Sequence, residues 1–117
     1  MNINVSKAKI VVNIPEDYLD VVRNAILDAG AGVIGNYTHC SNTSKIIGTF
    51  KPNQDANPFL GNVGNMEYVR EEKLEVQCNI KDVKRIIKVI RDVHPYEEPG
   101  IDIIPLLNED DLWWKMF

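Results

Sequence analysis

The chain has 117 residues, of which 44% are hydrophobic and 26% are charged, and its formal net charge is −4 at pH 7. This composition is typical of a globular domain, and we predict a single domain over residues 1–117. The negative net charge argues against nucleic acid or an anionic membrane as a partner, because both are negatively charged and bind best to a basic surface. No apolar run is long enough to span a bilayer, and two cysteines are too few for a disulfide framework, so we expect a cytoplasmic protein.

The first half of the chain begins with a strand pattern and continues with a helix pattern. Apolar residues recur at every second position of residues 7–14, which predicts a half-buried strand. Residues 17–29 then carry apolar side chains at helical spacing, and Gly30 suits the C-terminal cap. Residues 33–50 are rich in β-forming residues. We predict that they form one long strand, interrupted by a bulge or turn at residues 41–44.

The second half of the chain predicts a loop followed by three regular elements. Residues 51–63 are rich in proline, asparagine and glycine, which indicates an irregular loop long enough to carry a function. Residues 66–79 alternate as a strand, residues 80–93 form an amphipathic helix that ends before Pro95, and residues 101–106 form a last strand. The order β-α-β-β-α-β predicts the α+β class and a ferredoxin-like sandwich, with a four-stranded antiparallel sheet and two helices on one face.

Residues 30–35 match the spelling G-x-G-x-x-G, which dinucleotide-binding sites use. Such a site must follow a strand and open a helix, so that the phosphates meet the helix N-terminus. Here the glycines follow a helix and precede a strand. We therefore interpret them as a helix cap and a tight turn.

Apart from the segment 94–99, the candidates for soft metal ligands are His39, Cys40 and Cys78. Cys78 alternates with apolar residues, which predicts a core thiol. In an extended segment His39 and Cys40 would point to opposite faces, and they could not easily bind one metal ion together. No spacing typical of a structural zinc site occurs.

The densest cluster of functional side chains is His94-Pro95-Tyr96-Glu97-Glu98-Pro99. Two prolines stiffen this turn, so the imidazole and the carboxylates can converge on a metal ion or a polar ligand. In the alternative interpretation, which spacing alone favours, His94 caps carbonyls at the helix end, Tyr96 packs and the glutamates are solvated.

Five segments of the chain carry a resemblance to a known family. In chain order they are Ala-Gly-Ala-Gly-Val-Ile-Gly-Asn-Tyr at 29–37, Gly-Thr-Phe at 48–50, Ala-Asn-Pro-Phe-Leu-Gly at 56–61, His-Pro-Tyr-Glu-Glu-Pro at 94–99 and Ile-Asp-Ile-Ile-Pro-Leu at 101–106. Together they resemble the inserted domain of Nif-three-like (YqfO-type) proteins over nearly the whole of residues 8–106. That domain in turn resembles the CutA cation-tolerance proteins and the PII signal proteins, which are ferredoxin-like and trimeric.

The resemblance implies a homo-oligomer, expected to be a trimer with a dimer as the alternative. Val11, Tyr37 and the apolar tail, residues 107–117, supply surface for a contact between subunits. The sequence Leu-Trp-Trp at 112–114 is similar to the C-terminal Leu-x-Trp helix of CutA proteins. Full-length Nif-three-like proteins bind a metal pair through flanking halves, so we do not expect their metal-dependent hydrolase activity in this chain.

In the predicted topology the loop at 51–63 and the turn at 94–99 leave the same end of the sheet. The candidate ligand-binding residues at that end are Asn57, Phe59, His94, Tyr96, Glu97 and Glu98. For a divalent metal ion the candidate ligands are His94, Glu97, Glu98 and Cys40. We expect Cys40 well down the second strand, which disfavours a pair with His94 within one subunit and leaves a pair across subunits open.

Three functions follow as hypotheses. The first is a non-enzymatic, PII/CutA-like oligomeric binding or regulatory module with a small-molecule ligand. The second is a CutA-type protein that binds a divalent metal ion, copper or zinc. The third is a small enzyme of unknown reaction, which the sequence favours least because no nucleophile–base pair and no phosphate cradle appear in it.

Overall fold

A computed structural model describes residues 4–107 together with Glu109 and Leu112. Its main elements are β1 (Lys7–Pro15), α1 (Leu19–Asp28), β2 (Asn42–Phe50), β3 (Glu67–Asn79), α2 (Val83–Val93) and β4 (Ile101–Leu106). A short 3-10 turn precedes each helix. The strands are paired antiparallel in the order β2-β3-β1-β4. This arrangement confirms the predicted α+β, ferredoxin-like fold.

The hydrophobic core lies between one face of the sheet and the two helices. Strand alternation turns the apolar side chains of β1 and β3 toward α1 and α2, so that the fully buried residues include Ile10, Val12, Ile14, Val22, Ile26, Leu74, Ile86 and Ile90. Cys78 belongs to this core, as predicted, with 7% of its surface exposed. Burial raises the pKa of its thiol, with a further increase from the charge of Asp82.

The end of α1 is a glycine cap, as the sequence predicts. Gly30 has a φ of +103°, and its N–H donates to the carbonyl oxygen of Leu27. The N–H of Ala31 donates to the carbonyl oxygen of Ile26. These two bonds form a Schellman motif, whose left-handed residue is usually glycine because a Cβ is disfavoured there. The G-x-G-x-x-G segment therefore ends a helix.

The prediction of one long strand over residues 33–50 is wrong. β2 begins only at Asn42, and it then runs without interruption to Phe50. The polar residues 41–44, expected to break the strand, include its first three residues. They form regular backbone bonds because a strand pairs through its main chain, whatever the side chains.

Residues 29–41 form a loop, here called the lower loop. Ile34 and Tyr37 exchange both backbone hydrogen bonds across a tight turn that includes Gly35, which has a φ of +57°. His39 also adopts a positive φ, of 59°. The expectation of an extended His39–Cys40 segment is therefore wrong, because the turn at Gly35 and the bend at His39 override the β-propensity of the surrounding residues.

Two connections meet at the opposite end of the sheet, which we call the upper end. They are the upper loop, residues 51–66 between β2 and β3, and the upper turn, residues 94–100 between α2 and β4. The predicted aromatic tail lies outside the described residues, apart from Leu107, Glu109 and Leu112. Within the described part of the chain, no helix is both long enough and apolar enough to cross a membrane.

Candidate functional site

The upper loop and the upper turn contact each other directly. The backbone N–H of Asn57 donates to Oε1 of Glu97 at 3.1 Å. In addition, the ring centroids of Phe59 and Tyr96 lie 6.4 Å apart. The structure thus places Asn57 and Glu97 at the same end of the sheet, as the topology predicts. Their role in ligand binding stays a prediction.

Aromatic rings connect these two segments to the rest of the upper end. The ring of Tyr96 lies 6.0 Å from that of Phe50 and 5.0 Å from that of His94. Phe59 meets Tyr18, which precedes α1, edge to face at 5.5 Å. All these centroid distances fall within the range that favours aromatic pairs. The cluster therefore joins β2, the upper loop, the upper turn and the start of α1.

A buried carboxylate lies beside the aromatic cluster. Glu71 of β3 is only 6% exposed, and its Oε2 accepts a hydrogen bond of 2.8 Å from the hydroxyl of Tyr96. A Cβ added at Gly48 of β2 would overlap this carboxylate. A glycine inside a strand often marks such a close approach. Burial is the main cause that raises the pKa of Tyr96, and the hydrogen bond to Glu71 raises it further, so the hydroxyl remains a donor.

His94 fixes the start of the upper turn. It is 6% exposed, its Nε2–H donates to the carbonyl oxygen of Asn13 at 2.8 Å, and its Nδ1 accepts from the N–H of Tyr96 at 3.1 Å. Burial lowers the pKa of His94 and outweighs the opposing effects of the Asn13 bond and the Glu71 charge. The expected role as a cap for helix carbonyls is wrong, because the ring reaches a carbonyl of β1 instead.

These segments enclose a cavity of about 410 Å³, here called the upper cavity. Four of the six predicted ligand-binding residues line it, namely Phe59, Tyr96, Glu97 and Glu98. Asn57 and His94 lie behind this lining, since Asn57 bonds to Glu97 and His94 packs against Tyr96. The volume is within the range of ordinary small-molecule sites.

The lining also includes residues that sequence reasoning did not name as candidates, among them Asn13, Phe50 and Glu71. The side-chain Oδ1 of Asn13 is buried, and no residue that the structure describes donates a hydrogen bond to it. Glu71 shares the sheet face opposite the core with Asn13, where alternation predicts solvent exposure. The available signal was Gly48, a glycine between two β-forming residues, which indicates a close neighbour at that point of the strand.

The candidate metal ligands do not form one group. Cys40 lies in the lower loop, where its N–H donates to the carbonyl oxygen of Gly32, so its expected place within the second strand is wrong. Both ring nitrogens of His94 are engaged in hydrogen bonds, and Glu98 lies 3.9 Å from Arg91. Across the described residues, no three or more His, Cys, Asp and Glu side chains are placed to hold a metal ion. Metal binding stays a prediction.

Curated relatives match most of this chain but a small part of their own length. A GTP cyclohydrolase 1 type 2 homolog of Halalkalibacterium halodurans is 44% identical over 103 residues, which are 88% of this chain and 28% of that protein. Its counterpart in Bacillus subtilis is also 44% identical, over 84% of this chain and 26% of that protein. The chain thus spans about a quarter of the length of these relatives. No model of a known protein family matches it.

A solved structure gives the same relationship in three dimensions. A Bacillus cereus protein related to NIF3 is 38% identical to this chain, with a TM-score of 0.77 over 89% of this chain and 26% of that one. The chain is a relative of the Nif-three-like proteins. CutA1 from Shewanella sp. SIB1 is 16% identical, with a TM-score of 0.68 over 95% of this chain and 92% of that one, and it shows the shared fold alone.

Acid is expected to destabilise the protein through His94. Because burial lowers the pKa of His94, the folded chain keeps the ring neutral while the unfolded chain binds a proton below its ordinary value of 6.5. Stability is therefore full above that pH and falls as the pH drops below it. His94→Gln keeps an N–H for the Asn13 carbonyl but cannot titrate. Denaturant unfolding should show that the free energy of unfolding of this variant falls less than that of the wild type between about pH 7 and about pH 5.

His39→Gln is the matched control, because His39 is exposed and lies in the lower loop. This variant should not show the smaller acid-induced loss of stability expected of His94→Gln, because Nε2 of His39 lies at the surface, 3.0 Å from Oδ1 of Asp28, and not in a buried site. Parallel curves for wild type and His94→Gln would contradict the assignment of a buried neutral imidazole at His94.

Proposed function

We propose that the chain is a non-enzymatic, homo-oligomeric binding module of the Nif-three-like and CutA-like fold, with a small-molecule ligand in the upper cavity. The observation that carries this proposal is the cavity itself. It measures about 410 Å³ and is bordered by two connections that contact each other. Ligand sites of this size usually combine apolar walls with a few polar groups, and the upper cavity has both.

The polar groups at the upper end support a binding role over a catalytic one. The ring of His94 donates with one nitrogen and accepts with the other, and its pKa is lowered by burial. The hydroxyl of Tyr96 donates to Glu71, and its pKa is raised. Both side chains therefore hold the geometry of the cavity wall. We keep a cytoplasmic location in the proposal because both thiols, Cys40 and Cys78, are free.

The exposed surface of β2 and β3 supports the homo-oligomer. Among the described strands β2 pairs only with β3, so its other edge is open. Ile47 and Tyr68 are 62% and 71% exposed, and the register of these strands places them as diagonal neighbours on one face. An open edge beside exposed apolar side chains favours association with another chain. Tyr37 is 75% exposed and suits the predicted contact, whereas Val11 is already buried.

We expect a trimer. Light scattering at micromolar concentration measures the molar mass of the assembly and so the number of chains in it. Tyr68→Lys should shift the population toward smaller species, because it places a charge in the apolar patch of β2 and β3. Val21→Lys is the control, since Val21 is 56% exposed on α1 and lies outside that patch. A monomeric wild-type protein would contradict the oligomer, and a dimer would contradict the trimer alone.

Ligand binding can be located by NMR, with backbone amide shifts recorded during titration with a panel of small metabolites and with Zn²⁺ and Cu²⁺. We expect saturable shifts in the upper loop and the upper turn. Phe59→Ala should weaken binding because it removes an aromatic wall of the cavity. Val33→Ala, which alters an exposed apolar residue of the lower loop, should not.

Two outcomes of this titration would overturn the proposal. Shifts centred on the glycine-rich segment, residues 30–35, would place the ligand at the wrong end of the sheet. Tight binding of Zn²⁺ or Cu²⁺ with no response to any organic compound would favour the metal-binding alternative.

A further inference from the structure

We infer that the upper cavity takes a small organic cation whose charge is carried by a flat, donor-rich group such as guanidinium or amidinium. This inference rests on the proposed function and names the chemical class of the ligand. Three properties of the lining carry it: a buried carboxylate that has no basic partner among the described residues, an excess of negative charge, and aromatic walls.

The buried carboxylate is that of Glu71, which lines the cavity and is 6% exposed. Oε2 accepts the hydrogen bond from Tyr96, and within the described chain no residue donates to Oε1. No lysine, arginine or histidine of the described chain lies within ion-pair distance of it. A charge in such surroundings is stabilised when a cation with N–H donors binds beside it.

A second acceptor lies in the same lining. Asn13 is a lining residue, and its buried Oδ1 has no hydrogen-bond partner within the described part of the chain. Asn13 and Glu71 project from the adjacent strands β1 and β3 on one face of the sheet. The hydroxyl proton of Tyr96 is already directed to Glu71, so its oxygen is available to the cavity as an acceptor only. Because these polar groups are hydrogen-bond acceptors, they favour a ligand that donates several hydrogen bonds.

The charge of the lining also favours a cationic ligand. Among the described residues of the lining there are three carboxylates, Glu71, Glu97 and Glu98, and one basic residue, Lys51, which is exposed. Glu98 lies 3.9 Å from Arg91 in an exposed pair, where solvent screens the attraction. The cavity therefore keeps a negative potential that attracts cations and repels anions such as phosphates and carboxylates.

The aromatic walls distinguish a flat organic cation from a compact one. Phe50, Phe59 and Tyr96 all border the cavity. A planar guanidinium stacks on such rings and at the same time offers paired N–H groups to a carboxylate, which a spherical ammonium does less well. Both contacts are available in one cavity, because the ring of Tyr96 and the carboxylate of Glu71 are hydrogen-bonded neighbours.

The experiment uses three probes of nearly equal size and shape: phenylguanidinium, phenylurea and benzoate. They are cationic, neutral and anionic respectively, and each is titrated into the wild-type chain at millimolar concentration with backbone amide NMR as the readout. We expect phenylguanidinium to shift the amides of the upper loop and upper turn, with a Kd at least about tenfold lower than that of phenylurea. Benzoate should produce no saturable shift there.

Glu71→Gln tests the anchoring carboxylate. It keeps the shape and the acceptor for Tyr96 but removes the charge, and phenylguanidinium affinity should fall by about tenfold or more. Glu75→Gln is the matched control, because Glu75 lies on the same strand and sheet face, next to Lys9 and outside the cavity. Its phenylguanidinium affinity should equal that of the wild type.

The wild-type titrations decide the inference even if Glu71→Gln fails to fold. Equal affinities for phenylurea and phenylguanidinium, preferred binding of benzoate, or no response to any probe would overturn the cation assignment. If metabolites of another class then bind at the upper loop and upper turn, the proposed function survives without this inference. If ligands bind only at the lower loop, both fail.

Discussion

The hydroxyl of Tyr96 donates a hydrogen bond to the buried carboxylate of Glu71, and the arrangement of the upper end depends on this contact. A buried carboxylate is costly unless it is hydrogen-bonded. A hydrogen bond to a charged group contributes about 1.5–3 kcal/mol, whereas an exposed ion pair such as Arg91–Glu98 contributes about 0–1 kcal/mol. The Tyr96 hydroxyl therefore holds the upper turn to β3 more strongly than the exposed ion pair does, and the neighbouring aromatic pairs add about 0.5–1.5 kcal/mol each.

Other features of the sequence make room for this contact and orient it. Gly48 leaves the space that the carboxylate occupies, and the ring of His94 bonds the start of the turn to β1. The N–H of Asn13 also donates to the carbonyl oxygen of Gly100, which ties the end of the turn to the same strand. The proposed ligand would meet Glu71 at a point where no cation of the described residues pairs with it. In this proposal, binding and stability depend on the same side chain, as is common at functional sites.

The regular elements could be predicted because their local pattern and their burial agree. Alternation in β1 and β3 and helical spacing in α2 match the buried residues of the core. The lower loop could not be predicted in this way, because the positive φ angles of Gly35 and His39 override the β-propensity of Val33 and Ile34. The burial of Glu71 could not be predicted from the sequence either. Alternation turns its side chain away from the core, and only the tertiary position of the upper loop and the upper turn covers it.

Native-state hydrogen exchange on Tyr96→Phe tests most directly whether the Tyr96–Glu71 bond holds the upper end together. This variant keeps the ring and removes only the hydroxyl. We expect the amide of Asn57, which bonds to Glu97, to exchange faster than in the wild type. The amide of Cys40, bonded to Gly32 in the lower loop, should keep its wild-type rate. Unchanged protection at Asn57, or an equal loss at Cys40, would contradict the central role of this hydrogen bond.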